Sequence, residues 1–223
     1  MTYKEEFIEF MVRCGVLTFG DFITKSGRRT PFFVNTGKYG TGGQIGKLGE
    51  YYARAIHENL GDGFTVLFGP AYKGIPLAVA AAISLRSLFN KDAAFCFNRK
   101  EEKDHGEGGS LVGHRLQDGD RVVIVEDVTT AGTSVYETVP MLEKQAKITL
   151  AGLVVSVDRM ERGSGEMSAL DELREHFGFK TFPIVTMKDV VNYLHGREID
   201  GSVLVDGAMK VRIDEYYDRY GAR

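Results

Sequence analysis

One short segment combines a buried-strand pattern, two acidic residues and a turn of small side chains. Residues 122–125 are apolar and β-branched without alternation, which is typical of a parallel strand covered on both faces. Glu126 and Asp127 follow directly, and residues 129–134 are small and rich in helix-capping types. The apolar spacing beyond this turn predicts a helix that Pro140 perturbs. The segment therefore predicts a strand, a turn and a helix N-terminus in succession.

This arrangement favours a phosphorylated sugar as the ligand. The free N–H groups and partial positive charge of a helix N-terminus bind anions, and small side chains let a phosphate reach them. Glu126 and Asp127 would repel a phosphate, but they accept hydrogen bonds from sugar hydroxyls. The segment contains neither GxGxxG nor GxxxxGK(S/T), the signatures of dinucleotide and Walker loops. An ordinary strand-to-helix turn with solvated acids is the alternative interpretation.

Two further segments place positive charge at the ends of predicted strands. Lys73 follows the strand predicted at residues 64–68, in a turn whose flanking glycines would let the backbone approach a ligand. The loop after residue 98 carries four potential cations before a run of glycines, which is typical of a lid that closes over phosphates. A surface lysine and a solvated loop are the alternatives. The four cations are Arg99, Lys100, Lys103 and His105.

Length and composition favour one α/β domain with a small ligand. The chain has 223 residues, of which 43% are hydrophobic and 26% charged, as in soluble globular proteins. Its net charge of -3 gives no general attraction for nucleic acid or an anionic membrane. No signal peptide or membrane-spanning run is recognisable, so we expect a cytoplasmic protein. Cys14 and Cys96 lack metal-ligand spacing and are expected to be reduced thiols.

Apolar runs and helical patterns alternate from residue 64 onward, which predicts a parallel sheet with helices on both faces and ligands at the carboxyl ends of the strands. The remaining strands are predicted at 93–97, 150–157 and 181–185, and helices at 74–88, after 134, and at 168–177.

The first 60 residues differ from this alternation. They predict a helix at 5–12, a hairpin across 22–35 and a helix at 46–60, which together form a small N-terminal hood lobe over the sheet. Residues 209–220 predict a mixed-charge final helix with a solvated face. We therefore expect a single domain, 1–223. Its hood region and first helices take about 1–60, and its α/β core and C-terminal helix about 61–223.

Four motifs resemble, in the family's order, those of the orotate phosphoribosyltransferases, which are type I phosphoribosyltransferases. They occupy residues 25–35, 68–76, 97–109 and 155–163. The segment 126–134 in turn resembles the loop with which type I phosphoribosyltransferases bind phosphoribosyl pyrophosphate (PRPP). The resemblance extends from about residue 7 to residue 191, which is nearly the whole chain.

The resemblance implies a type I phosphoribosyltransferase fold and transfer of the 5-phosphoribosyl group from PRPP to orotate. The products would be orotidine 5'-monophosphate and pyrophosphate, in pyrimidine biosynthesis. The resemblance further implies Mg²⁺ as cofactor, carried by PRPP and not by a dedicated protein metal site. It also implies a homodimer in which Arg99, Lys103 and His105 serve the partner's site. It implies no nucleic-acid or membrane partner.

The resemblance also assigns individual residues. Two positions depart from the common pattern: Glu126 precedes Asp127 where many members have two aspartates, and Val34 stands where many have a second aromatic residue. Lys73, Lys100, Lys103 and His105 are the implied catalytic residues, which neutralise the departing pyrophosphate. The PRPP-binding residues are Lys25, Tyr72, Lys73, Arg99, Lys100, Lys103, His105, Glu126, Asp127, Val128, Thr129, Thr130, Ala131, Gly132, Thr133 and Ser134. The orotate-binding residues are Lys25, Phe33, Val34, Thr130 and Arg159.

Arg159 also has a rationale independent of the resemblance. Orotate carries a carboxylate that uracil lacks, and a cation at the end of a core strand could select it. The alternative is a surface arginine within the charge cluster at 158–162.

Two other functions are weighed against orotate transfer. A phosphoribosyltransferase for a neutral base would not need Arg159, and a noncatalytic PRPP-sensing regulator would lose the cationic lid and add a nucleic-acid-binding domain.

Overall fold

The computed structural model describes residues 1–24, 27–99, 110–128, 132–163 and 165–222. Seven of the predicted site residues lie outside these ranges. They are Lys25, Lys100, Lys103, His105, Thr129, Thr130 and Ala131.

The N-terminal segment forms a helix, a hairpin and a second helix. Thr2 caps α1 (Tyr3–Arg13) through a reciprocal pair of hydrogen bonds with Glu5. β1 (Leu17–Ile23) and β2 (Arg29–Val34) then pair antiparallel, and α2 (Gly42–Leu60) follows. The predicted order of elements is confirmed. α2 begins before residue 46 because a second capping box, at Thr41, starts it.

The apolar runs form the strands of one sheet. These strands are β3 (Val66–Phe68), β4 (Ala94–Asn98), β5 (Leu111–Gly113), β6 (Arg121–Val125), β7 (Thr149–Asp158) and β8 (Lys180–Thr186). Within the described residues they pair in the order β5-β4-β3-β6-β7-β8. Only the pairing of β5 with β4 is antiparallel among these. The predicted parallel core is confirmed, whereas the three-residue β5 is too short to be recognised from its sequence.

Helices cover both faces of the sheet. Alternate residues of β6 belong to two different hydrophobic clusters. Val123 and Val125 belong to the larger cluster, and Val122 and Ile124 belong to the smaller one. The remaining helices are α3 (Gly74–Phe89), α4 (Thr133–Glu143), α5 (Ala169–Phe177), α6 (Met187–Leu194) and α7 (Gly207–Tyr220). α2, α3 and α6 pack in the larger cluster, and α4 and α5 in the smaller. The absence of alternation in the sequence of β6 follows from this double coverage.

The larger cluster also includes the N-terminal elements. Phe7 of α1 and Phe32 of β2 are fully buried in it, beside Val154 of the sheet. The hood therefore shares a hydrophobic core with the sheet. None of the helices described here is both long and apolar enough to cross a membrane.

The C-terminal third contains elements that the sequence analysis does not predict. α6 follows β8 directly, with a capping box formed by Thr186 and Asp189, and the two-residue strands β9 (Glu198–Ile199) and β10 (Ser202–Val203) pair antiparallel. The final helix α7 is confirmed, but its Ile213 and Tyr216 are buried. The expectation of a solvated helix therefore holds for only part of its surface.

Candidate active site

Four predicted site residues follow four neighbouring strands. Arg99 lies beyond β4, Lys73 beyond β3, Asp127 beyond β6 and Arg159 beyond β7. These strands are adjacent and parallel, so their carboxyl ends lie along one edge of the sheet. The topology brings together side chains that are distant in the sequence.

Lys73 and Asp127 form an ion pair across the β3 and β6 loops. Nζ of Lys73 lies 2.8 Å from Oδ2 of Asp127, and the two side chains are 64% and 13% exposed. Thr36, in the short 3-10 helix after β2, donates its hydroxyl to the same Oδ2 at 2.7 Å. The hood thus contributes a residue to this edge that sequence reasoning missed. Thr36 directly follows motif 25–35, and this position is the only sequence signal that could have suggested a role for it.

Glu126 is buried beside this pair, at 8% exposure. Burial raises the pKa of its carboxyl group, whereas a hydrogen bond with Ser134 acts in the opposite direction. The Ser134 contact joins the first acid of the pair to the first turn of α4. The acid and the helix start, predicted to hold opposite ends of one phosphorylated sugar, therefore lie within reach of each other.

The backbone of the acidic pair is tied to its neighbours. The Tyr52 hydroxyl donates to the Glu126 carbonyl at 2.6 Å, from α2. Ser156 of β7 donates its hydroxyl to the Asp127 carbonyl at 2.6 Å and its N–H at 2.8 Å. Each such bond stabilises the folded state by about 1 kcal/mol. These bonds hold the backbone of both acids in place.

Gly132 is the N-cap of α4. Its φ of +69° lies in the left-handed region, and a Cβ there would meet the Leu173 side chain at 3.0 Å, so both conformation and packing favour glycine. Glycine has no side chain to accept hydrogen bonds from the first-turn N–H groups. Thr133 and Ser134 of that turn are exposed. Whether a phosphate binds this helix end stays a prediction.

The glycines of the Lys73 turn are required by the packing of the turn itself. A Cβ on Gly69 would lie 2.1 Å from the Gly74 carbonyl oxygen, and one on Gly74 would lie 2.9 Å from the Val125 carbonyl oxygen. They let the turn fold tightly against itself and against the end of β6. Whether they also let the backbone approach a ligand stays a prediction. Tyr72, in the same turn, is 67% exposed.

The ends of the predicted lid are anchored beside this turn. The Arg99 N–H donates to the Ser110 carbonyl at 2.8 Å. Asn98 accepts a hydrogen bond from the Ala71 N–H through its side-chain oxygen at 2.7 Å. The predicted lid therefore starts and ends next to Lys73, while residues 100–109 lie outside the described residues.

Arg159 is paired and largely buried. Its Nε and Nη2 donate to Oε1 of Glu161 at 3.0 and 2.6 Å, and its side chain is 11% exposed. The guanidinium lies over the Phe32 ring, 5.2 Å from the centroid. The alternative of a surface arginine is wrong. Glu161, which the sequence analysis leaves in the charge cluster, is the partner that it missed.

The two predicted hairpin residues face opposite ways, because side chains alternate along β2. Phe33 is 36% exposed and stacks on Phe22, with ring centroids 5.6 Å apart. Val34 packs against the larger cluster, as does Phe32. Phe32, which lies beneath Arg159, was not predicted. Whether Phe33 and Val34 contact a base stays a prediction.

No group of three or more His, Cys, Asp or Glu side chains that could hold a metal ion occurs among the described residues. The prediction that a metal arrives with the substrate is not tested by this observation.

The chain is similar to known proteins over most of its length. Residues 35–181 match the family described as "Phosphoribosyl transferase domain". The chain is 63% identical, over 221 residues and 99% of both chains, to the orotate phosphoribosyltransferase of Clostridium beijerinckii. It is 49% identical to that of Salmonella paratyphi A, over 86% of this chain and 88% of that one. A crystal structure of the Francisella tularensis orotate phosphoribosyltransferase superposes with a TM-score of 0.85 at 33% identity, covering 97% of this chain and 100% of that one.

Proposed function

We propose that this chain, which belongs to the orotate phosphoribosyltransferase family, transfers the 5-phosphoribosyl group of PRPP to orotate. The products are orotidine 5'-monophosphate and pyrophosphate, and the reaction belongs to pyrimidine biosynthesis. The observation that supports it best is the convergence of Lys73, Asp127 and Arg159 on one edge of the sheet. In this proposal Lys73 is the cation for phosphate, Asp127 the acid for ribose and Arg159 the cation for the base's carboxylate.

PRPP is held at both ends in this proposal. The 5'-phosphate binds the N–H groups at the start of α4, where Thr133 and Ser134 are exposed. Glu126 and Asp127 accept hydrogen bonds from the ribose hydroxyls. Lys73 moves from Asp127 to the pyrophosphate, which is possible because its side chain is largely exposed and the ion pair is therefore weak.

The chemical step exchanges one bond at C1 of the ribose. The C1–O bond to pyrophosphate breaks with both electrons leaving on the oxygen, and a ring nitrogen of orotate forms the new bond to C1. That nitrogen gives up its proton, which the departing pyrophosphate can accept. No covalent enzyme intermediate is needed. The protein stabilises the negative charge that grows on pyrophosphate, through Lys73 and the predicted lid residues Lys100, Lys103 and His105.

Selection of the base falls to Arg159. Orotate offers a planar carboxylate, and a guanidinium pairs with such a group through two parallel hydrogen bonds. Phe32 supports the guanidinium from below. The proposed roles of Lys25, Phe33, Val34 and Thr130 in the same pocket rest on the motif resemblance alone.

Mg²⁺ enters as a complex with PRPP, because it prefers substrate phosphates and retained waters to an all-protein cage. In this proposal the two acids bind the ribose hydroxyls, so they are not assigned to a metal. The cofactor in this proposal is therefore part of the substrate.

The active unit in this proposal is a homodimer. The support is the length and charge of segment 99–109, which exceed what one connection needs, together with family membership. Arg99, Lys103 and His105 would then act in the partner's site. A cytoplasmic location also stays a prediction.

The decisive experiment mixes purified protein with PRPP, Mg²⁺ and either orotate or uracil. Loss of orotate absorbance with matching release of pyrophosphate is the expected result, with no turnover of uracil. Equal turnover of uracil would indicate a transferase for another base. Binding of PRPP without any pyrophosphate release would indicate a noncatalytic PRPP sensor.

A further inference from the structure

Glu161 is a buried carboxylate whose contacts converge on Arg159. Its side chain is 7% exposed, and its Oε1 accepts hydrogen bonds from Nε and Nη2 of Arg159 at 3.0 and 2.6 Å. Both bonds use one edge of the planar guanidinium. Within the described residues no hydrogen bond involves Nη1, so the edge that carries it is left for a second planar acceptor.

The final helix holds this pair in place. Tyr216 is 5% exposed and donates its hydroxyl to the same Oε1 of Glu161 at 2.8 Å. Tyr217 donates its hydroxyl to the Arg159 carbonyl at 2.7 Å. The Phe32 ring lies 5.6 Å from the Tyr216 ring and beneath the guanidinium. Arg159 is thus fixed by its own loop, by α7 and by β2.

We propose that Glu161, held by Tyr216, is a positioning residue that determines the specificity of this site for a base with a planar carboxylate. The inference rests on the proposed function, in which Arg159 pairs with orotate. A free arginine side chain has many rotamers, and ordering it on binding costs affinity. A guanidinium already fixed along one edge presents the other edge in the geometry that a carboxylate needs.

The charge of Glu161 serves the same end. A buried arginine without a partner would destabilise the folded state, and its unbalanced charge would attract any anion. With Glu161 in contact, the net charge of the pair is near zero, so a ligand gains from it chiefly through directional hydrogen bonds. Arg28 is a more distant cation, 3.9 Å from Oε2 of Glu161, and leaves Oε1 to Arg159 and Tyr216.

The test measures the KM for orotate and the KM for PRPP separately in matched variants of the full chain. Glu161→Ala should raise the KM for orotate about tenfold or more, while the KM for PRPP stays within about twofold. Glu161→Gln keeps an acceptor oxygen for Arg159 and should recover the KM for orotate to within about threefold of wild type. Glu166→Ala is the control, since it removes an acid of the same loop that is 64% exposed and pairs with Arg162.

Tyr216→Phe covers the case in which Glu161→Ala does not fold, because it removes one hydroxyl and leaves the ion pair. Its KM for orotate should rise about threefold. The inference is tested only if the wild-type protein turns over orotate. It is overturned if the KM for orotate in these variants is unchanged or lower, or if the KM for PRPP rises equally. A wild-type protein that does not turn over orotate would instead refute the proposed function.

Discussion

Lys73 and Asp127 neutralise each other across two neighbouring strands, with Nζ and Oδ2 only 2.8 Å apart. The lysine follows β3 and the aspartate follows β6, and the parallel pairing of these strands brings both loops to the same edge of the sheet. Because Lys73 is 64% exposed, the pair contributes at most about 1 kcal/mol to stability. Its position at the predicted phosphate site is better explained by a lysine held ready for a substrate.

Replacing Lys73 by methionine should therefore affect catalysis far more than stability. We expect kcat/KM for PRPP to fall about a hundredfold, because one electrostatic contact to the leaving group is lost. The Tm should change by no more than about 3 °C. Lys91→Met, which breaks the ion pair with Asp62 away from the site, is the matched control. If the kcat/KM for PRPP of Lys73→Met is within twofold of that of this control, Lys73 has no part in the mechanism.

Glu126→Gln should make the protein more stable at neutral pH. Burial raises the pKa of Glu126 above its ordinary value of 4.5, so the folded state binds more protons than the unfolded state between these two values. Stability is therefore lost as the pH rises through this window. The glutamine variant lacks this loss, and its Tm should exceed that of wild type at pH 7.

The Tm difference between Glu126→Gln and wild type should shrink to nothing as the pH falls below the ordinary glutamate value. The same variant should bind PRPP more weakly, because a carboxylate acceptor for ribose is lost. Glu137→Gln removes an exposed carboxylate from α4 and controls for the loss of one charge. A Tm difference between Glu126→Gln and wild type that stays constant across pH would contradict the prediction.

Arg159→Lys should raise the KM for orotate about tenfold to a hundredfold, since a lysine cannot bind Glu161 and a second carboxylate along two planar edges. The charge is kept, so folding should be retained. The KM for PRPP should stay near that of wild type. Arg162→Lys, on the same loop, is the matched control. Unchanged selectivity for orotate over uracil would show that Arg159 does not contact the base.

Mixing Lys73→Ala with Lys103→Ala should restore activity if the lid serves the partner's site. Each variant alone has a defect in every site, whereas a mixed dimer contains one site with both lysines. After subunit exchange, each mixed dimer should contain one active site and therefore have about half the activity of a wild-type dimer. The control is either variant exchanged with itself. Mixed dimers that are confirmed by mass but remain inactive would show that the lid closes on its own subunit.

The sequence determines the parts of this fold that depend on local patterns. Unbroken β-branched runs such as 122–125 can only be satisfied by burial on both faces, so the parallel sheet was predictable. Lys73, Asp127 and Arg159 were recognisable because each follows a predicted strand, where the sheet fixes their common edge. Short elements such as β5 and β9 carry too few residues for a periodic pattern, and the structure alone supplies them.

Only the tertiary structure decided which side chains meet. Thr36 contacts Asp127 from 91 residues away, and Tyr216 contacts Glu161 from 55 residues away. No local pattern encodes such contacts, because they depend on how the hood and α7 pack against the sheet. Burial follows the same rule: Arg159 and Glu161 look like members of a solvated charge cluster in the sequence, yet packing against Phe32 and Tyr216 removes them from water. The residue types that can do the chemistry are local information, whereas their partners and their exposure are properties of the packed chain.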